Sequence, residues 1–253
     1  MYEKLKADVA FLDGEYETAA DMYLEGAREG DSLAAFNYGY CCLKGIGRPY
    51  NPSEAKTFFS FARNMEGGEA YYNLAMLFLH GEGVSRNYEL AHKYMKMSAE
   101  DGCVEAQLYM GMASTLGCMF EPDVVSICMI PYHKAEYRDI TSPLLSGYVP
   151  DPDEEDKRFA VIKADARAAF EWFRLAARHD PTYVEQLVAK GKFLYAKCYL
   201  DGLGTDFDRT KGVRLMLLAG KGGSMEAVSF LKENGVTPEM ILAAGRKRSG
   251  GEK

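Results

Sequence analysis

Apolar and polar positions alternate along most of this chain with a helical period, and small residues punctuate the stripe at fixed intervals. Ala34, Ala70 and Ala106 stand 36 residues apart, and each is followed eleven residues later by a glycine, Gly45, Gly81 or Gly117. Gly191 and Gly202 repeat that separation further on. Three of these turn glycines have a second glycine two residues later, Gly47, Gly83 and Gly204. Ten residues past the first glycine comes another small residue, Ala55, Ala91 or Gly212. Phe58, Tyr94 or Leu215 follows it at +3, and Ala62, Ser98 or Ala219 near +7. The pattern predicts a unit of helix, glycine turn and helix. Small residues let two helices approach, the large residue at +3 fills the space beside the crossing, and Gly-x-Gly supplies positive φ for a tight reversal. One such pair cannot bury its apolar stripe alone, so units must stack on their neighbours into an all-α superhelix with a concave side.

The run from Ala70 to Val84, AYYNLAMLFLHGEGV, with Ala91, Tyr94, Ala99 and Gly102 behind it, resembles the Sel-one-like repeat, a relative of the tetratricopeptide repeat. The resemblance covers 33–67 and 68–102 as clear units, a third interrupted unit, and 190–223. It implies a right-handed superhelical α-solenoid of stacked antiparallel helix pairs. It also implies an adaptor or scaffold, since the family has no shared catalytic residues. A secreted, disulfide-stapled subgroup resembles beta-lactamases in activity and needs paired cysteines joining the two helices of each repeat. The second helices here contain none, which argues against that activity.

On this reading residues 1–245 form one repeat domain, with units at about 1–30, 31–67, 68–102, 103–181 and 182–223 and capping helices over 224–245. The first unit is shorter and tetratricopeptide-like, turning at Gly14, with Ala20, Tyr23 and Ala27 in its second helix. At the other end 224–234 reads as one more first helix, and Thr237 caps a last short helix with Pro238 at its first position. The tail 246–253 is expected to be mobile. The third unit departs most: from Gly117 to Ala169 is 52 residues where the other units need ten, an insert of 42 residues near 118–160. Its first half is too apolar for a disordered linker and is expected to pack on the solenoid. Its acidic run 151–156 is expected to start the helix that leads to Ala177, where carboxylates suit the helix dipole. Beyond it, Ala169 to Gly191 is 22 residues instead of fifteen, two extra helical turns that keep the stripe in phase.

Composition changes this picture little. The chain has 253 residues, 47% of them hydrophobic, and a net charge of −7, which argues against a chain-wide footprint for nucleic acid or anionic lipid. The N-terminus has no apolar signal region, and no apolar run approaches the roughly 20 residues of a membrane span. Six cysteines, mostly in apolar helical patterns, read as reduced thiols of a cytoplasmic protein.

Catalytic and phosphate-binding motifs are absent, and the Gly-x-Gly pairs lie at helix-to-helix turns rather than after strands, so neither enzyme activity nor a cofactor is expected. Cys118, Cys128 and His133 lie close in sequence but without a Cys-x-x-Cys pair, and no metal is expected. By analogy with tetratricopeptide geometry, positions nine, five and two before each turn glycine face the groove. These are Phe36, Tyr40 and Leu43, then Tyr72, Met76 and Leu79, then Leu108, Met112 and Thr115, and lastly Phe193, Lys197 and Leu200. Ten of the twelve are apolar or aromatic, more than a solvated face needs, so they line a surface for another protein or peptide or pack as core. Two further readings stay open. The insert could fill the groove of an architectural, self-associating protein, or its Tyr132, His133, Arg138 and Asp139 could form a small-molecule or enzymatic site.

Overall fold

The computed structural model describes residues 3–120, 158–159, 163–180 and 185–236. These form two compact units, one of residues 3–103 and one from Val104 onward. The first holds α1 (Lys4–Leu12), α2 (Tyr16–Arg28), α3 (Ser32–Lys44), α4 (Pro52–Phe61), α5 (Glu69–His80) and α6 (Tyr88–Glu100). The second holds α7 (Val104–Leu116), β1 (Met119–Phe120), β2 (Arg158–Phe159), α8 (Ala166–Ala176), α9 (Glu185–Asp201), α10 (Arg209–Lys221) and α11 (Met225–Glu233). Within each unit consecutive helices pack on one another, and α9 also touches α7.

The turns repeat one construction. Gly45, Gly81, Gly117 and Gly202 have φ between +67° and +75°, the left-handed conformation that ends each first helix. Six residues on, Asn51, Asn87 and Asp208 cap the second helix, each side chain accepting the amide three residues later. The amide of the same cap residue donates back to the first helix, Asn51 to Cys42, Asn87 to Phe78 and Asp208 to Tyr199, at 2.8–3.0 Å. In the third unit 48 residues separate Gly117 from the cap Asp165. The joint is nevertheless the same, with Asp165 N donating to Ser114 O at 2.8 Å. The second glycine does more than reverse the chain. A Cβ on Gly47, Gly83 or Gly204 would strike the backbone at Tyr16, Pro52–Ser53 or Ala166, the start of the preceding unit's second helix.

Helix packing corrects one expectation. The large residues that fill the pair lie at +4 rather than +3: Phe59, Met95, Phe173 and Met216 are buried, while Phe58, Tyr94, Trp172 and Leu215 are partly exposed. At 100° per residue, +4 lies nearer the face of the small residue than +3 does. Room is made by a small residue six before each turn glycine: Gly39 beneath Phe59, Gly111 beneath Phe173.

The acidic run does not open α8. Arg158 and Phe159 pair antiparallel with Phe120 and Met119, so the backbone there is committed to a ladder, and the helix starts at Ala166 under the cap of Asp165. Strands were not expected in an insert between helices. Their anchor is Tyr109, whose hydroxyl donates to Phe120 O at 2.5 Å and accepts from Phe120 N at 3.0 Å, with the rings stacked at 4.5 Å. The extra residues before Gly191 are only partly helical: α9 is 17 residues long and begins six before Gly191, whereas α3 begins two before Ala34. Of the insert's apolar first half, Met119 and Phe120 are described and buried; the rest of it, the helix after Thr237 and the tail lie outside the described residues.

Candidate functional site

In the second unit, α9 carries apolar and charged side chains on one face at helical spacing: Lys190, Phe193, Leu194, Lys197 and Asp201. They wall a cleft of about 410 Å³ closed on its other sides by Met112 and Leu116 of α7, Phe173 of α8 and Glu226 of α11. A shallower depression of about 440 Å³ adjoins it, sharing Phe193, Lys197 and Glu226 and reaching Phe230 on α11. A volume of this order holds two or three large side chains.

Charges in the cleft are paired. Lys190 Nζ lies 2.5 Å from Glu226 Oε1, and the lysine side chain is only 4% exposed. Its ammonium stands 5.3 Å from the Phe193 ring centre, and Ser224 Oγ, which caps α11, donates to Glu226 Oε2 at 3.0 Å. Burial alone would raise the Glu226 carboxyl. The Lys190 hydrogen bond, a backbone amide, the lysine charge and Ser224 together outweigh it and hold the group below the usual glutamate range. Lys197 pairs with Asp201 at 2.9 Å and lies over the Phe230 ring at 5.8 Å. The cleft is therefore apolar with two neutralised ion pairs at its edge, suited to an apolar side chain rather than to an ion. Its one thiol is no nucleophile: burial, then Asp201, pushes Cys198 up to about 12.

The Sel1 repeat profile matches residues 32–65, 68–103, 159–181 and 189–224, just over half of the chain. The chain belongs to the Sel1 repeat family. The third match starts only at residue 159 because the insert separates α7 from its partner α8. Among solved structures, a Sel1 repeat protein from Oxalobacter formigenes is similar over 96% of this chain and 82% of its own, with TM-score 0.65 and 19% identity, which shows the α-solenoid fold. The protective antigen c5321 of uropathogenic Escherichia coli, displaying an SLR fold, is 16% identical over 90% of this chain and 55% of its own, at TM-score 0.38. No curated protein sequence matches significantly. Sel1 repeat proteins are in general scaffolds for protein–protein interaction and typically non-enzymatic.

In this Sel1 repeat protein the twelve stripe positions fall into two groups. Phe36, Tyr40, Leu43, Tyr72, Met76, Leu79 and Leu108 are buried, none more than 4% exposed. Met112, Thr115, Phe193 and Lys197 line the cleft, and Leu200, half-buried, packs with the small core of α9–α11. The insert residues Tyr132, His133, Arg138 and Asp139 lie outside the described residues, as does Cys128. Lys190 and Glu226 escaped the sequence reading; their 36-residue separation, one repeat, was the signal. Among the described residues no cluster of three His, Cys, Asp or Glu side chains could hold a metal ion, and no helix is long and apolar enough to cross a membrane.

Proposed function

We propose that this protein is a non-enzymatic scaffold that holds a segment of another protein by seating bulky apolar side chains in the cleft of the second unit. The cleft itself carries the reading: an apolar recess walled by Met112, Leu116, Phe173, Phe193 and Leu194, with its charges already paired. Aromatic and methionine side chains around a recess of this size suit an adaptable anchor site. The half-exposed Lys197 and Asp201 flank it and can meet the backbone polar groups of an incoming segment. A cytoplasmic location suits the five described cysteines, all buried and joined by no disulfide.

Capture from the native host lysate tests this. Phe193→Ala, at a half-buried position, is expected to lower the yield of the bound partner about tenfold or more with the helical circular-dichroism signal unchanged. An undiminished yield would sink the proposal. Alanine at the buried Tyr72 would test packing instead.

The burial of Phe36, Tyr40, Leu43, Tyr72, Met76 and Leu79 favours a second, architectural reading for that part of the stripe, in which these side chains serve stability rather than capture.

A further inference from the structure

The polar groups that line the cleft are already bonded to one another. All of its described lining residues but Leu203 lie in helices, and the Leu203 amide donates to Cys198 O at 2.9 Å. Thr115 Oγ1 donates to Gly111 O at 2.9 Å, while Lys190 and Lys197 are held by Glu226 and Asp201. Helical walls offer no row of free backbone donors and acceptors, as a sheet edge would. An extended chain entering here would bury its own peptide groups unpaired, which costs binding free energy at each of them. Lys197 and Asp201 stand at the edge and can serve one end of a segment, not its length. A helix brings its peptide groups already bonded along its own axis.

Two recesses call for two side chains. The cleft and the shallower depression share a wall of Phe193, Lys197 and Glu226, and beyond it the depression follows α11 past Met225 and Phe230 to Glu233. Residues three or four apart on a helix stand about 5–6 Å from each other on one face, a spacing that suits neighbouring recesses divided by one wall of side chains. Charge distinguishes the two ends. Among the described residues five charged side chains line the recesses; Lys190 with Glu226 and Lys197 with Asp201 make two ion pairs. Glu233, exposed at the outer rim, belongs to neither. Resting on the capture reading above, we propose that the captured segment is an amphipathic helix of the partner protein. One bulky apolar side chain fills the cleft, a second three or four residues away fills the depression, and a lysine or arginine one turn beyond meets Glu233.

Selection from two phage-displayed peptide libraries, with the full chain as bait, tests the pairing. One library has a helical framework and the other an extended one, with the same randomised side chains. The helical library is expected to yield the binders, with two large apolar residues three or four apart and a Lys or Arg beyond them. As synthetic peptides they should bind Phe193→Ala about tenfold or more weakly. They should bind Glu233→Lys, a change at an exposed position, about two- to fivefold more weakly, and a peptide whose basic residue is replaced by Glu should recover that loss. Extended binders that need Phe193, or helical binders indifferent to Glu233→Lys, overturn this helix and leave the capture reading standing. Binders from neither library, or binders that ignore Phe193→Ala, overturn both.

Discussion

Gly202 and Gly204 stand two residues apart with almost the same backbone, φ +69° and +68°, but in different surroundings. A Cβ on Gly202 would meet only Thr205 O at 3.8 Å, while one on Gly204 would collide with the carbonyl of Ala166 at the start of α8. Alanine at Gly202 is expected to cost about 1–2 kcal/mol for its left-handed backbone alone. Alanine at Gly204 is expected to cost a further 1–3 kcal/mol or so for the displaced helix. Urea unfolding of the two variants measures the difference, and equal losses would refute an inter-unit role for the second glycine. The sequence displays both glycines, and local turn chemistry accounts for the first. The need for the second lies in a helix 38 residues away, which no local pattern records.

Tyr109 shows how an element is held. It occupies the position of Asn37 and Asn73 in the preceding units, and its hydroxyl satisfies both backbone groups of Phe120 at the end of β1. Tyr109→Phe keeps the ring stack but leaves a buried N–H and C=O without that partner, a loss of about 1–3 kcal/mol. Amide exchange at Phe120 should accelerate markedly in this variant; unchanged protection would mean that the β1–β2 ladder holds itself. The helices were legible because their apolar period and turn glycines are local; the caps Asn51, Asn87 and Asp208, each six residues past a turn glycine, escaped the sequence reading. The start of α8 was misread because the acidic run 151–156 looks like a first turn, whereas the ladder at Arg158–Phe159 displaces the helix to Asp165.

At the scale of the molecule, each unit carries a histidine whose imidazolium is disfavoured. Burial, then the Lys96 charge, lowers His92, and its buried Nδ1 has no hydrogen-bond partner. Burial lowers His179 despite the opposing charge of Glu105, and its ring bonds Gln107 at 3.1 Å. A histidine depressed in the folded state binds its proton more readily when unfolded, so stability is full above the ordinary value of about 6.5 and falls as pH drops below it. Melting temperature should therefore decline between pH 7.5 and 5.5, and His92→Gln with His179→Gln should flatten the decline. A rise on acidification would contradict the assignment. Glu226, held low by Lys190, adds a further loss only below about pH 4.3.

The sequence by itself determined the repeat, the helix pairs, the turn glycines and the size of the insertion, because period, capping and positive φ act over a few residues. Only the tertiary structure decided which stripe positions are buried and which wall the cleft, that +4 rather than +3 fills each pair, and that Lys190 meets Glu226. Those outcomes depend on which helices come together, and contacts between successive repeats are set by packing across tens of residues rather than by neighbours in the chain.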